Sequence, residues 1–84
     1  EIDIIAKDRE TLVFVEVKTR RSDRFGLPEE AVTPAKQQQI IRVASNYLVQ
    51  HRLLDEPVRF DVIAITIKQG NPQINHLVSA FETG

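Results

Sequence analysis

The sequence contains no cysteine, which excludes a disulfide framework and any cysteine-ligated zinc or iron–sulfur centre. That absence fits a reducing, cytoplasmic setting. Methionine is missing too, and the chain opens at Glu1 directly into a strand-like run. We therefore expect residues 1–84 to be a single domain truncated at its N-terminus. No stretch approaches the roughly 20 apolar residues of a membrane-spanning helix, and no signal peptide is visible, so no membrane partner is expected. An excess of one charge is also lacking. Eleven Lys and Arg residues against twelve Asp and Glu leave a net charge of −1, so any nucleic-acid contact must rest on a local patch rather than a global field. Repeats and low-complexity tracts are absent. What remains is ordinary for a small globular protein, with 42% hydrophobic and 27% charged residues, enough for one thin core.

Ile2 to Ala6 is short, apolar and interrupted by Asp3. The polar connector Lys7-Asp8-Arg9-Glu10 leads into Thr11 to Lys18, rich in branched and aromatic side chains. Two such runs predict an antiparallel hairpin. Val13, Val15 and Val17 take one face of the second strand, and Leu12, Phe14, Glu16 and Lys18 the other. Thr19 to Glu30 predicts a charged loop. Thr33-Pro34 reads as an N-cap and first helical residue. Ile40, Val43, Ala44, Tyr47 and Leu48 carry the helix to about Arg52. Phe60 to Ile67 predicts a central strand covered on both faces. A turn at Gln69 to Pro72 precedes a last strand at Gln73 to Val78. The order strand, strand, helix, strand, strand suggests an α/β mixed sheet with one helix on a face. The Phe60 strand would lie parallel to the Val13 strand through a crossover.

Glu16 and Lys18, two apart on a strand, point to the same side. A hairpin turn of even length can set Asp3 opposite Phe14 and diagonal to Glu16, roughly 5.5–8 Å away between β-carbons. A register shifted by two sets Asp3 directly opposite Glu16, and an odd-length turn sends it to the far face. Two converging carboxylates raise each other's pKa or recruit a cation. An oxygen-only pair with room for water and phosphate suits Mg²⁺, and a neighbouring lysine can orient water and stabilise phosphate charge. Glu-x-Lys on a strand face is, taken alone, most often a solvated edge. Here the charges continue the stripe of Leu12 and Phe14, and Asp3 interrupts an apolar strand where a half-buried carboxylate needs a reason.

Arg20, Arg21 and Arg24 supply cations just beyond these residues, suited to bidentate phosphate contacts; a merely solvated loop is the alternative. Lys36 falls in the first turn of the helix in line with Ile40, and Gln37 lines up with Ile41 and Ala44. Both could reach a phosphate at the helix N-terminus, or Lys36 could simply extend to water. Asp61 shares a strand face with Arg59, which predicts a structural ion pair. His51 and His76 have no ligand spacing and read as surface or structural residues.

Glu1 to Ala6, Val13-Phe14-Val15-Glu16-Val17-Lys18-Thr19-Arg20, Phe25-Gly26, Pro28 to Val32, Lys36, Arg59-Phe60-Asp61-Val62 and Ala80-Phe81 closely resemble the bacterial YraN family. That family is similar to archaeal Holliday-junction resolvases within the PD-(D/E)xK nuclease superfamily. The resemblance implies a restriction-endonuclease-like core and a metal site of Asp3, Glu16 and the backbone carbonyl of Val17 holding Mg²⁺ or Mn²⁺. It also implies Lys18 as the catalytic lysine. Lys36 matches a position the family usually fills with lysine. Members also carry an N-terminal helix with an acidic residue, a segment missing from this sequence. The expected function is a metal-dependent endonuclease acting on DNA, branched or recombining DNA included. A homodimer is its natural arrangement, since twofold-related sites can cut two strands. The alternative is a catalytically inactive nuclease-fold module that binds DNA or a protein partner.

Overall fold

The two apolar runs at the start of the chain do pair as an antiparallel hairpin. The structure, a computed structural model, describes residues 2–21 and 32–82, the side chain of Arg21 excepted. Strand β1 (Ile4–Asp8) runs against β2 (Thr11–Arg21), and Asp8 faces Thr11 across a two-residue turn at Arg9 and Glu10. Arg9 adopts φ 57°, the left-handed conformation that matches a tight turn to the twist of its strands. The turn sits further along the polar connector than the first of the registers considered above. Ile5 therefore faces Phe14, and Ile4 faces Val15. One more step along this register sets Asp3 beside Glu16.

Strand β2 is longer than its apolar pattern. Thr19, Arg20 and Arg21 belong to the strand, not to a loop, because β3 (Val58–Lys68) pairs with β2 in parallel as far as Arg21 and Ile67. The ladder of β3 holds these polar residues extended although nothing in their own pattern asks for it. Residues 22–31, Arg24 among them, lie outside the described residues.

Helix α1 (Pro34–Gln50) begins as its cap predicts. Thr33 Oγ1 accepts from the Lys36 N–H at 3.2 Å, and Pro34 fills the first turn. Its end is a Schellman motif. Leu53 N–H reaches Leu48 O at 2.8 Å and Arg52 N–H reaches Val49 O at 3.2 Å, with Arg52 at φ 57°. Strand β4 (Asn71–Phe81) returns antiparallel to β3 through Gln69 and Gly70. Both turn residues have positive φ, 51° and 79°, as a type I′ hairpin requires. Pro72 is tolerated because β4 is an edge strand.

The sheet order is β1-β2-β3-β4, a mixed sheet with one helix, hence a mixed α/β fold. Leu12, Phe14, Phe60 and Val62 meet Ile40 and Ala44 of α1 to form the core. Phe14 stacks on Phe60 at 5.7 Å and meets the edge of Tyr47 at 5.8 Å. Residues on both faces of β3 are buried, Phe60, Val62 and Ala64 on one and Asp61 on the other. Among the described residues α1 is the sole helix, and it covers the Phe60 face. On the other face Val13, Val15 and Asp61 are buried as well and Ile63 is half-buried, beside an open groove of about 360 Å³.

Candidate metal site

The face of β2 that packs under α1 continues past the helix into charge. Leu12 and Phe14 lie beneath α1, and Glu16 follows with only 6% of its surface exposed. Neighbouring β3 offers it apolar company in Val62 and Ala64, both buried. Glu16 Oε1 is buried and has no hydrogen-bond partner among the described residues. Its other oxygen, Oε2, lies 3.7 Å from Lys36 Nζ. The Glu16 carboxyl is pushed above its usual range. Burial is the main cause and the Asp3 charge beside it adds to the effect, while Lys36 and Lys18 pull the other way.

Asp3 stands at a bend just before β1 and is exposed, not the half-buried interruption of an apolar strand that its neighbours suggested. Ile4 and Ile5 are themselves 43% and 39% exposed, since β1 is an edge strand. The bend turns the Asp3 carboxylate onto β2, where Oδ2 accepts from the Val17 N–H at 2.9 Å. A residue in a strand sends its N–H and C=O to the same side. The Val17 carbonyl therefore faces the Asp3 edge, past the last β1 pair at Ile4 and Val15. Lys18, half-buried, shares the Glu16 face.

The structure thus brings together Asp3, Glu16, Lys18, Lys36 and the Val17 backbone. Arg20 extends the same face of β2 and Arg21 is its terminal residue. Gln37 is turned inward, its Nε2 donating to Val32 O at 3.1 Å. The contact between Lys36 and Glu16 was not foreseen. Its signal was the alignment of Lys36 with Ile40, whose stripe packs over Phe14 and so leads back to Glu16. Among the described residues no three His, Cys, Asp or Glu side chains converge. Two carboxylates and a carbonyl are nonetheless a sufficient protein share for Mg²⁺, which keeps several waters.

A second polar cluster lies on the opposite face of the sheet. Asp61, side chain fully buried, accepts from Arg59 Nε at 2.9 Å and Nη2 at 3.1 Å and from the Ser79 N–H at 3.0 Å. His76 Nε2 approaches its Oδ2 at 2.8 Å. Arg59 also reaches Asp8 at 3.0 Å. A β-bulge in β4 supplies the Ser79 contact. The register shifts between Phe60 and Val62, and Ser79, at φ 52°, turns its N–H onto the carboxylate. Burial pushes the Asp61 carboxyl up, but the hydrogen bonds from Arg59, Ser79 and His76 outweigh it and hold it low. The Arg–Asp pair is structural, and His76 is part of it.

A sequence model of the uncharacterised protein family UPF0102 matches residues 1–65, a span that includes every candidate site residue. The chain belongs to this family, also called YraN. A UPF0102 protein of Geobacter sulfurreducens is 54% identical over 83 residues, covering 98% of this chain and 65% of that protein. One from Geobacter metallireducens is 54% identical over 82 residues, covering 98% and 67%. Another from Syntrophus aciditrophicus is 50% identical over 82 residues, covering 98% and 65%. The chain therefore spans about two thirds of the length of these bacterial relatives. Among the described residues no helix is long and apolar enough to cross a membrane.

Proposed function

We propose that this chain carries the metal-binding core of a Mg²⁺- or Mn²⁺-dependent DNA endonuclease, with a restriction-endonuclease-like fold akin to Holliday-junction resolvases. Glu16 carries the proposal. It is a buried carboxylate with one oxygen lacking any hydrogen-bond partner among the described residues and a second carboxylate beside it. Burying such a charge is costly, and Asp61 shows how this same fold satisfies a carboxylate when the purpose is structural. The donor set fits a hard divalent cation, which Asp3, Glu16 and the Val17 carbonyl would hold. Bound there, such a cation supplies Lewis acidity toward a phosphoryl oxygen and lowers the pKa of water.

The chain's own residues divide the remaining work. Lys18, on the Glu16 face of β2, orients the attacking water and stabilises charge developing on the phosphate. Arg20 and Lys36 lie beside this centre and hold the DNA backbone, arginine being suited to bidentate phosphate contacts, and Arg21 and Arg24 are assigned the same role from their place in the sequence alone. Two such sites related by a homodimer axis would cut two strands of a branched substrate.

The test incubates the full-length protein with four-way junctions and linear duplexes in Mg²⁺, Mn²⁺ or EDTA. Cleavage is expected only with metal. Glu16→Ala and Lys18→Met should each lower it by about a hundredfold or more, the scale of losing one charge-stabilising group. Cleavage indifferent to Glu16→Ala, or no cleavage under any metal, overturns the enzyme reading. Salt-dependent DNA binding that survives EDTA and Glu16→Ala without product would assign a binding module instead.

A further inference from the structure

Lys36 occupies a place that phosphate binding alone does not account for. It stands in the first turn of α1, where a cation opposes the helix macrodipole, and its backbone N–H is already taken by Thr33. Its Nζ lies 3.7 Å from Glu16 Oε2. That is too long for a hydrogen bond, so the ammonium is a neighbouring charge rather than a bonded partner. The Lys36 side chain is 31% exposed and that of Glu16 only 7%. The cation therefore sits at the mouth of the site, with a flexible stem that can carry it back to water. Glu16 Oε1, itself buried, has no hydrogen-bond partner among the described residues. The carboxylate is balanced in charge but not coordinated.

We propose that Lys36 is an exchangeable counter-ion for the site: it balances Glu16 in the metal-free protein, is displaced when a divalent cation binds there, and then faces the incoming phosphate. The inference rests on the metal-dependent reading above. A divalent cation on the Glu16 oxygens and an ammonium at 3.7 Å from one of them repel each other, so the two compete for one carboxylate. Lysine suits this exchange better than arginine. Its compact point charge on a four-carbon stem moves freely, whereas a guanidinium would lock onto the carboxylate in a bidentate fork. Asp3 offers no equivalent exchange, because one of its oxygens is tied to the Val17 N–H.

The experiment measures Mn²⁺ binding to the full-length protein without DNA, by calorimetry and by the electron paramagnetic resonance of free Mn²⁺. The proteins are wild type, Glu16→Gln, Lys36→Met and Lys36→Arg, each checked for folding by circular dichroism. Lys36→Met should bind Mn²⁺ about fivefold more tightly, the upper scale of a partly exposed charge pair. Lys36→Arg should bind no more tightly than wild type, and Glu16→Gln should lose the site. In the wild-type protein the Lys36 side-chain ¹³Cε resonance should move on titration with Mg²⁺, and in Glu16→Gln it should stay still. Equal Mn²⁺ uptake by wild type and Glu16→Gln overturns the metal reading and the exchange with it. Uptake that depends on Glu16 but is unchanged or weakened in Lys36→Met overturns the exchange alone. Should Lys36→Met fail to fold, the wild-type resonance decides, and a Lys36 signal unmoved by Mg²⁺ overturns the proposal.

Discussion

Two buried carboxylates in this small protein are treated in opposite ways. Asp61 has Arg59, Ser79 and His76 hydrogen-bonded around it, whereas Glu16 has an ammonium at 3.7 Å and a neighbouring acid. Removing each should therefore have opposite effects on the metal-free fold. Glu16→Gln keeps the shape, relieves the buried charge and its repulsion from Asp3, and should stabilise the protein by about 1 kcal/mol while abolishing cleavage, the usual trade between stability and activity. Asp61→Ala strands its donors and should cost roughly 3–5 kcal/mol. Urea titrations of the metal-free proteins measure both. The shared face of Glu16 and Lys18 was legible from a period of two. The position of Asp3 was not, because Lys7, Asp8, Arg9 and Glu10 are all polar and any of them could turn. Lys36 reaches Glu16 from an element that sequence spacing cannot dock.

At the scale of elements, α1 announced its start through Thr33 and Pro34 but not its end. The αL position of the Schellman motif is usually glycine and here is Arg52, exposed, at φ 57°. Arg52→Gly relieves the clash of Cβ with the backbone and, after the added flexibility of the unfolded chain, should raise stability by about 0.5–1 kcal/mol. A shift in the urea midpoint at unchanged slope would register it. Strand β2 shows the converse. Its last residues, Thr19 to Arg21, are strand because β3 pairs with them, and neither composition nor periodicity could say so. The bulge at Ser79 was equally hidden, since its purpose is to serve Asp61 on the adjacent strand.

For the whole molecule, the two carboxylates also set opposing pH dependences. The Asp61 pKa is depressed on folding, so its contribution is present above the unfolded pKa and is lost as pH falls through the folded one. The Glu16 pKa is raised, so its contribution is present below the unfolded pKa and is lost as pH rises through the folded one. The advantage of Glu16→Gln over wild type should accordingly be largest at neutral pH and vanish once wild-type Glu16 is protonated. Acid unfolding should begin only below that range. Denaturation across pH 3 to 8, on the order of the carboxylate and histidine range, would show both limbs. The sequence by itself determined the kinds of element, their order, and the common face of Glu16 and Lys18. These follow from local periodicity and capping, which each segment carries within itself. Only the tertiary structure decided that the hairpin turns at Arg9 and Glu10, so that Asp3 stands beside Glu16. It alone also brought Lys36 of α1 to that carboxylate and left one of its oxygens without a hydrogen-bond partner among the described residues. Register, docking and burial are set by competition among segments far apart in the chain, and no single segment holds that information.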